Sequence, residues 1–132
     1  MIDTSAWIEY FHNSKHPVVE QVDKCLSSDL VLIGDLVYCE IMQGLRNQND
    51  RNSVRELLQT LPAVEMVGFS IADRAAHNYR LLRSRGVTIR KTIDVIIGTF
   101  CAVHEFEIIH NDVDFDRMAS VVGFTVYGRH PS

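Results

Sequence analysis

Cysteine is scarce in this chain: Cys25, Cys39 and Cys101 are far apart, odd in number and never spaced as CxxC. That pattern argues against a disulfide framework or a thiolate zinc site and fits small buried hydrophobes in a reducing compartment. The six histidines form no HExxH motif, which removes the commonest signature of a catalytic zinc. No apolar run is long enough to span a bilayer, and the N-terminus lacks the basic-then-apolar layout of a signal peptide, so a cytoplasmic protein is expected. With three prolines and seven glycines there is no Pro/Gly-rich linker, and no repeat or low-complexity tract breaks the sequence. A single domain over residues 1–132 is the expectation. Positive charge is also in deficit: the net charge of −4 argues, taken alone, against a nucleic-acid binder.

What is present is an ordinary globular composition, 46% apolar and 23% charged over 132 residues, enough to bury a core without metal or disulfide staples. Short β-rich runs alternate with helical periodicity. VLIG (31–34) predicts a buried strand, followed by Asp35 as N-cap of the helix LVYCEIMQGLR. Residues 53–61 predict a helix stopped by Pro62, and AVEMVGF a strand after it. Ser70 and Asp73 resemble a capping box opening a helix that runs to Arg85 and ends at Gly86. Thr92 can cap IDVIIGTFCAVHEF, whose apolar positions cover most of its circumference and predict burial on more than one side. EIIH (107–110) and FTVYG (124–128) are further strands, separated by a short helix near residues 115–121. This alternation predicts parallel βαβ units: an α/β domain of three layers, with a central, mainly parallel sheet and helices on both faces.

In such sheets, ligand chemistry gathers beyond the C-terminal ends of the strands. Asp3 ends whatever strand begins the chain; only Met1 and Ile2 precede it, so that strand is expected to be short. Asp112 and Asp114, in HNDVDFD, follow the strand EIIH. Asp94 falls in the first turn of its helix, and Glu40 sits in the otherwise apolar LVYCEIM. Each has an ordinary structural explanation. Asp94 complements the helix macrodipole, Asp112 or Asp114 can cap the next helix, Asp3 can close a turn with Thr4 and Ser5, and Glu40 can face solvent beside Gln43.

Collected at one sheet edge, however, these carboxylates repel: two of them about 4 Å apart cost on the order of 4 kcal/mol at an effective dielectric near 20. They must be partly protonated or hold a cation. An all-oxygen donor set points to Mg²⁺ or Mn²⁺, and such an ion among carboxylates suits hydrolysis of a phosphodiester.

The charge deficit has a local exception. RLLRSRGVTIRK (80–91) holds Arg80, Arg83, Arg85, Arg90 and Lys91 with no acid, and leads into Asp94. Arg90 and Lys91 are the expected RNA contacts. Arg83 and Arg85 are open between that role and complementing their helix C-terminus. Trp7, Tyr10 and Phe11 can be read as base-stacking aromatics or as the packed face of an amphipathic helix, with packing preferred.

DTSAWIEYF, DLVYCEIMQGLR, TIDVIIGTFCAVH and IIHNDVDFDRMA, in that order, make the chain similar to PIN domains, and more narrowly to VapC-type toxins of bacterial toxin–antitoxin pairs, from Met1 to about Val126. The resemblance implies a PIN-like fold and an endoribonuclease using Mg²⁺ or Mn²⁺. Asp3, Glu40 and Asp94 match three of the family's acidic positions. The fourth falls in NDVDF, where Asp112 and Asp114 are both kept. Ser5 matches a hydroxyl residue that supports the site, with Thr4 a second candidate. The resemblance also implies a homodimer and silencing by a VapB-type antitoxin, with DNA approached only through that antitoxin and no membrane partner. Two rivals remain: a catalytically inactive PIN-like RNA-binding module, which would lack one of the acids, and a receiver-like signalling domain, which would need an Asp ending VEMVGF and a Lys after EIIHND.

Overall fold

The computed structural model describes residues 1–28 and 30–129. Contacts divide the chain into two compact units, one formed by Met1–Glu65 with Ile109–Asn111, the other by Met66–Ile108 with the chain from Asp112 onward.

The first unit contains α1 (Thr4–Phe11), α2 (Val18–Ser28), β1 (Ile33–Gly34), α3 (Asp35–Gly44), α4 (Gln48–Gln59) and β2 (Ala63–Val64). β1 and β2 pair in parallel, Ile33 opposite Ala63 and Gly34 opposite Val64. The chain start makes one parallel bridge, Ile2 to Ile109. It is fixed by the Asp3 N–H donating to the Ile109 carbonyl and the Ile109 N–H donating to the Met1 carbonyl, both at 2.9 Å. Helix α1 packs on α2 and α3, and α3 on α4. Trp7 is fully buried and its ring stacks on Phe11 with centroids 5.4 Å apart, so this aromatic is core, in line with the packing preference.

The second unit contains α5 (Gly68–Ser84), α6 (Thr92–His104), β3 (Glu107–Ile108), α7 (Val113–Val122) and β4 (Thr125–Val126). β3 and β4 are again parallel, Glu107 opposite Thr125 and Ile108 opposite Val126. Helix α6 packs against both α5 and α7. Its residues from Ile97 to Cys101 are consecutively buried, as a helix apolar around its circumference requires. Gly98 makes this possible on one side, since a Cβ there would lie 2.8 Å from the Phe124 ring.

Several local expectations shift. Among the described residues the run AVEMVGF pairs only at Ala63–Val64, and Gly68, with a left-handed φ of +83°, opens α5. Ser70 therefore lies inside α5, and Val67 precedes the helix with no side-chain cap. Gly34, not Asp35, is the N-cap of α3, and Lys91, not Thr92, that of α6. Helix α4 starts earlier than residue 53 because Asn47 caps it, its side chain accepting from the Asp50 N–H at 2.8 Å. Helix α2 was not anticipated. Its stripe Val18, Val22, Cys25, at helical spacing, was the available signal, and His16 Nδ1 accepts from the Val18 N–H at its start.

Candidate metal centre

In the first unit, Asp3 is the N-cap of α1. One oxygen, Oδ2, accepts from both the Ser5 N–H at 3.0 Å and the Ser5 hydroxyl at 2.6 Å. The same Ser5 oxygen accepts from the Asn111 N–H at 2.9 Å, tying the first helical turn to the segment that follows Ile109. Asp3 is only 4% exposed. Thr4 Oγ1 donates to Glu40 Oε1 at 3.0 Å, so each hydroxyl residue singled out in the sequence holds one of the acids. Glu40, on α3, is half-buried.

In the second unit, Asp94 lies in the first turn of α6, 4% exposed. Asp112 is the N-cap of α7 and accepts from the Asp114 N–H at 2.9 Å. Capping is thus realised at both Asp3 and Asp112. Asp94, Asp112 and Asp114 each offer a carboxylate oxygen, and these oxygens lie within 4.8 Å of one another. Charges at that separation repel by roughly 3 to 4 kcal/mol per pair at an effective dielectric near 20. Three hard oxygen donors with no thiolate or imidazole among them fit a divalent cation of the Mg²⁺ or Mn²⁺ kind.

These acids open into a cleft of about 470 Å³ lined also by Thr88, Arg90, Lys91 and Arg117. Arg90 and Lys91, the RNA contacts expected from the sequence, are both exposed. Arg83 and Arg85 do not line this cleft; Arg83 lies in the last turn of α5 and Arg85 is its C-cap. Sequence reasoning overlooked Arg117, whose Nη1 contacts Asp114 Oδ1 at 3.3 Å. The signal was its i,i+3 spacing from Asp114 on α7.

A family model described as the PIN domain matches residues 1–121, a span that runs through both units. The chain therefore belongs to the PIN-domain family, and its fold is of the α/β PIN class. Among curated relatives it is 31% identical over 123 residues, 92% of each chain, to Ribonuclease VapC11 of Mycobacterium tuberculosis and equally to VapC ribonuclease Mb1587 of Mycobacterium bovis. Ribonuclease VapC18 of Mycobacterium tuberculosis is 28% identical, covering 92% of this chain and 88% of its own. Among solved structures, VapBC2 from Rickettsia felis bound to a DNA fragment from its promoter superposes with a TM-score of 0.75 at 13% identity, over 96% of this chain and 95% of that one. That likeness concerns the fold.

Proposed function

We propose that the chain is a divalent-cation-dependent endoribonuclease, the toxin of a toxin–antitoxin pair, acting as a single PIN domain over residues 1–132. The observation that carries this reading is the meeting of Asp94, Asp112 and Asp114, with carboxylate oxygens within 4.8 Å, in a cleft that also presents Arg90 and Lys91. Relatives named VapC ribonucleases supply the substrate class.

Asp94, Asp112 and Asp114 are the ligands in this reading, and Asp3 and Glu40 are added to the proposed set because they match acidic positions of the family. When bound, Mg²⁺ or Mn²⁺ supplies Lewis acidity toward water and toward the phosphate oxygens. The protein's own groups do the rest. Ser5 fixes the rotamer of Asp3, and Thr4 does the same for Glu40. A carboxylate of the set takes the proton from the attacking water, which approaches phosphorus in line with the departing 3′-oxygen. Arg90 and Lys91 bring the RNA backbone to the acids, offsetting a net charge of −4 that would otherwise repel it. Arg83 and Arg85 extend that track along the strand leading in.

The partners follow from the same reading: a VapB-type antitoxin that silences the site by offering a cation to the acids, and a second copy of the chain. Any contact with DNA runs through the antitoxin. The working compartment is the cytoplasm, and among the described residues no helix is long and apolar enough to cross a membrane.

The test is cleavage of total cellular RNA with Mg²⁺, with Mn²⁺ and with EDTA, comparing the wild type with Asp94→Asn and Asp3→Asn. Cleavage in either metal, none in EDTA and none by either variant is expected. Wild-type rates for Asp94→Asn in Mg²⁺ would sink the reading.

A further inference from the structure

We infer that Arg117 is a phosphate-clamping catalytic residue that rests on Asp114 until a cation takes its place; this builds on the ribonuclease reading above. Arg117 projects from α7 one helical turn beyond Asp114 and lines the same cleft as Asp94, Asp112, Arg90 and Lys91. Its contact with Asp114 runs through one nitrogen at 3.3 Å, and the side chain is 43% exposed.

A guanidinium built to hold a carboxylate does so through two parallel N–H bonds at about 2.8 Å. Here the fork is used at one end and loosely, leaving its other N–H groups pointed at no protein acceptor among the described residues. By contrast Arg129, which also reaches an α7 acid, meets Asp116 at 2.5 Å outside this cleft.

The two positive charges compete. Asp94, Asp112 and Asp114 would hold a divalent cation, and its charge would then compete for the Asp114 carboxylate that otherwise attracts Arg117 and would repel the guanidinium. Arg117 then has reach, charge and fork geometry for an oxygen of the scissile phosphate, where charge accumulates as the water attacks. Arg90 and Lys91, on the segment before α6, are exposed in the same cleft and are the proposed contacts for the rest of the RNA backbone. Arg117 is the basic residue of the cleft whose position is tied to a carboxylate of the set.

The experiment compares wild type, Arg117→Ala, Arg117→Lys and, as a control ion pair on the same helix, Arg129→Ala. Mn²⁺ affinity is measured by calorimetry on the RNA-free protein, and the rate of cutting total cellular RNA is measured at saturating Mn²⁺. Arg117→Ala is expected to bind Mn²⁺ about two- to five-fold more tightly, the scale of an exposed ion pair removed, yet to cut about 100-fold more slowly. Arg117→Lys keeps the charge without the fork, so its Mn²⁺ affinity stays near the wild type while the rate recovers only in part. Arg129→Ala leaves both quantities unchanged.

An Arg117→Ala chain that cuts at the wild-type rate overturns the inference. So does one that binds Mn²⁺ more weakly and regains full rate once the metal is raised, the behaviour of a residue that merely holds Asp114 in place. A wild type that neither binds Mn²⁺ nor cuts RNA overturns the ribonuclease reading and this inference with it, an outcome distinct from both.

Discussion

Asp3 and Asp112 each do two jobs with one side chain. Each caps a helix, accepting from a backbone N–H two residues on, and each is a carboxylate proposed above as a ligand. The jobs separate by substitution because asparagine caps as well as aspartate but carries no charge. Asp112→Asn should keep the urea midpoint close to the wild type, while Asp112→Ala should lose about 1 kcal/mol of stability. Both should lose Mn²⁺ affinity by calorimetry. Equal destabilisation by Asn and Ala would show that the cap contributes nothing. At Ser5 the expected loss is indirect: Ser5→Ala removes the 2.6 Å bond that orients Asp3, and activity should fall about 10- to 100-fold with the fold retained by circular dichroism. Unchanged activity would mean that the Ser5 N–H alone fixes the carboxylate.

At the scale of elements, α6 bears the most constraint. It is buried between α5 and α7 and delivers Asp94 from its first turn. Gly98→Ala drives a methyl to within 2.8 Å of the Phe124 ring, so a loss of roughly 1 to 3 kcal/mol is expected in denaturant unfolding. No loss would mean that Phe124 swings aside without cost. Most helices, α6 above all, were legible in the sequence because helical periodicity is local, although α2 was missed despite its stripe of Val18, Val22 and Cys25. Strand extents were not. A strand exists only where a partner lies in register, and Ala63–Val64 and Thr125–Val126 pair over two residues each although longer apolar runs surround them. Cap positions moved by one residue at α3 and α6 for a similar reason: backbone geometry at Gly34 and Lys91, not side-chain chemistry, sets where those helices begin.

For the whole molecule the governing quantity is charge. Each acidic position has an ordinary local explanation on its own, and only the recurrence of carboxylates at strand ends and helix starts makes them candidates, while the basic run before Asp94 was visible as composition. Arg117 was not, since an i,i+3 Arg–Asp pair is ordinary on any exposed helix and only the shared cleft sets it apart. A net charge of −4 with a basic cleft wall predicts RNA binding that weakens steeply with salt. Reversing Arg90 and Lys91 to glutamate should lower the slope of log affinity against log salt by at least about 1.4, as expected when two single-strand phosphate contacts vanish. An unchanged slope in filter binding would remove those residues from the RNA path.

The bridge between Ile2 and Ile109, with Ser5 holding Asn111 across 106 positions of sequence, bears on the order in which the chain acquires its contacts. Closing so long a loop is entropically costly and slow compared with winding the helices between. Ribosomal synthesis delivers Asp3 well before its anchors, Ile109 and Asn111. Until the segment carrying Ile109 and Asn111 has been made, a growing polypeptide therefore carries Asp3 untethered, and these contacts can close only afterwards.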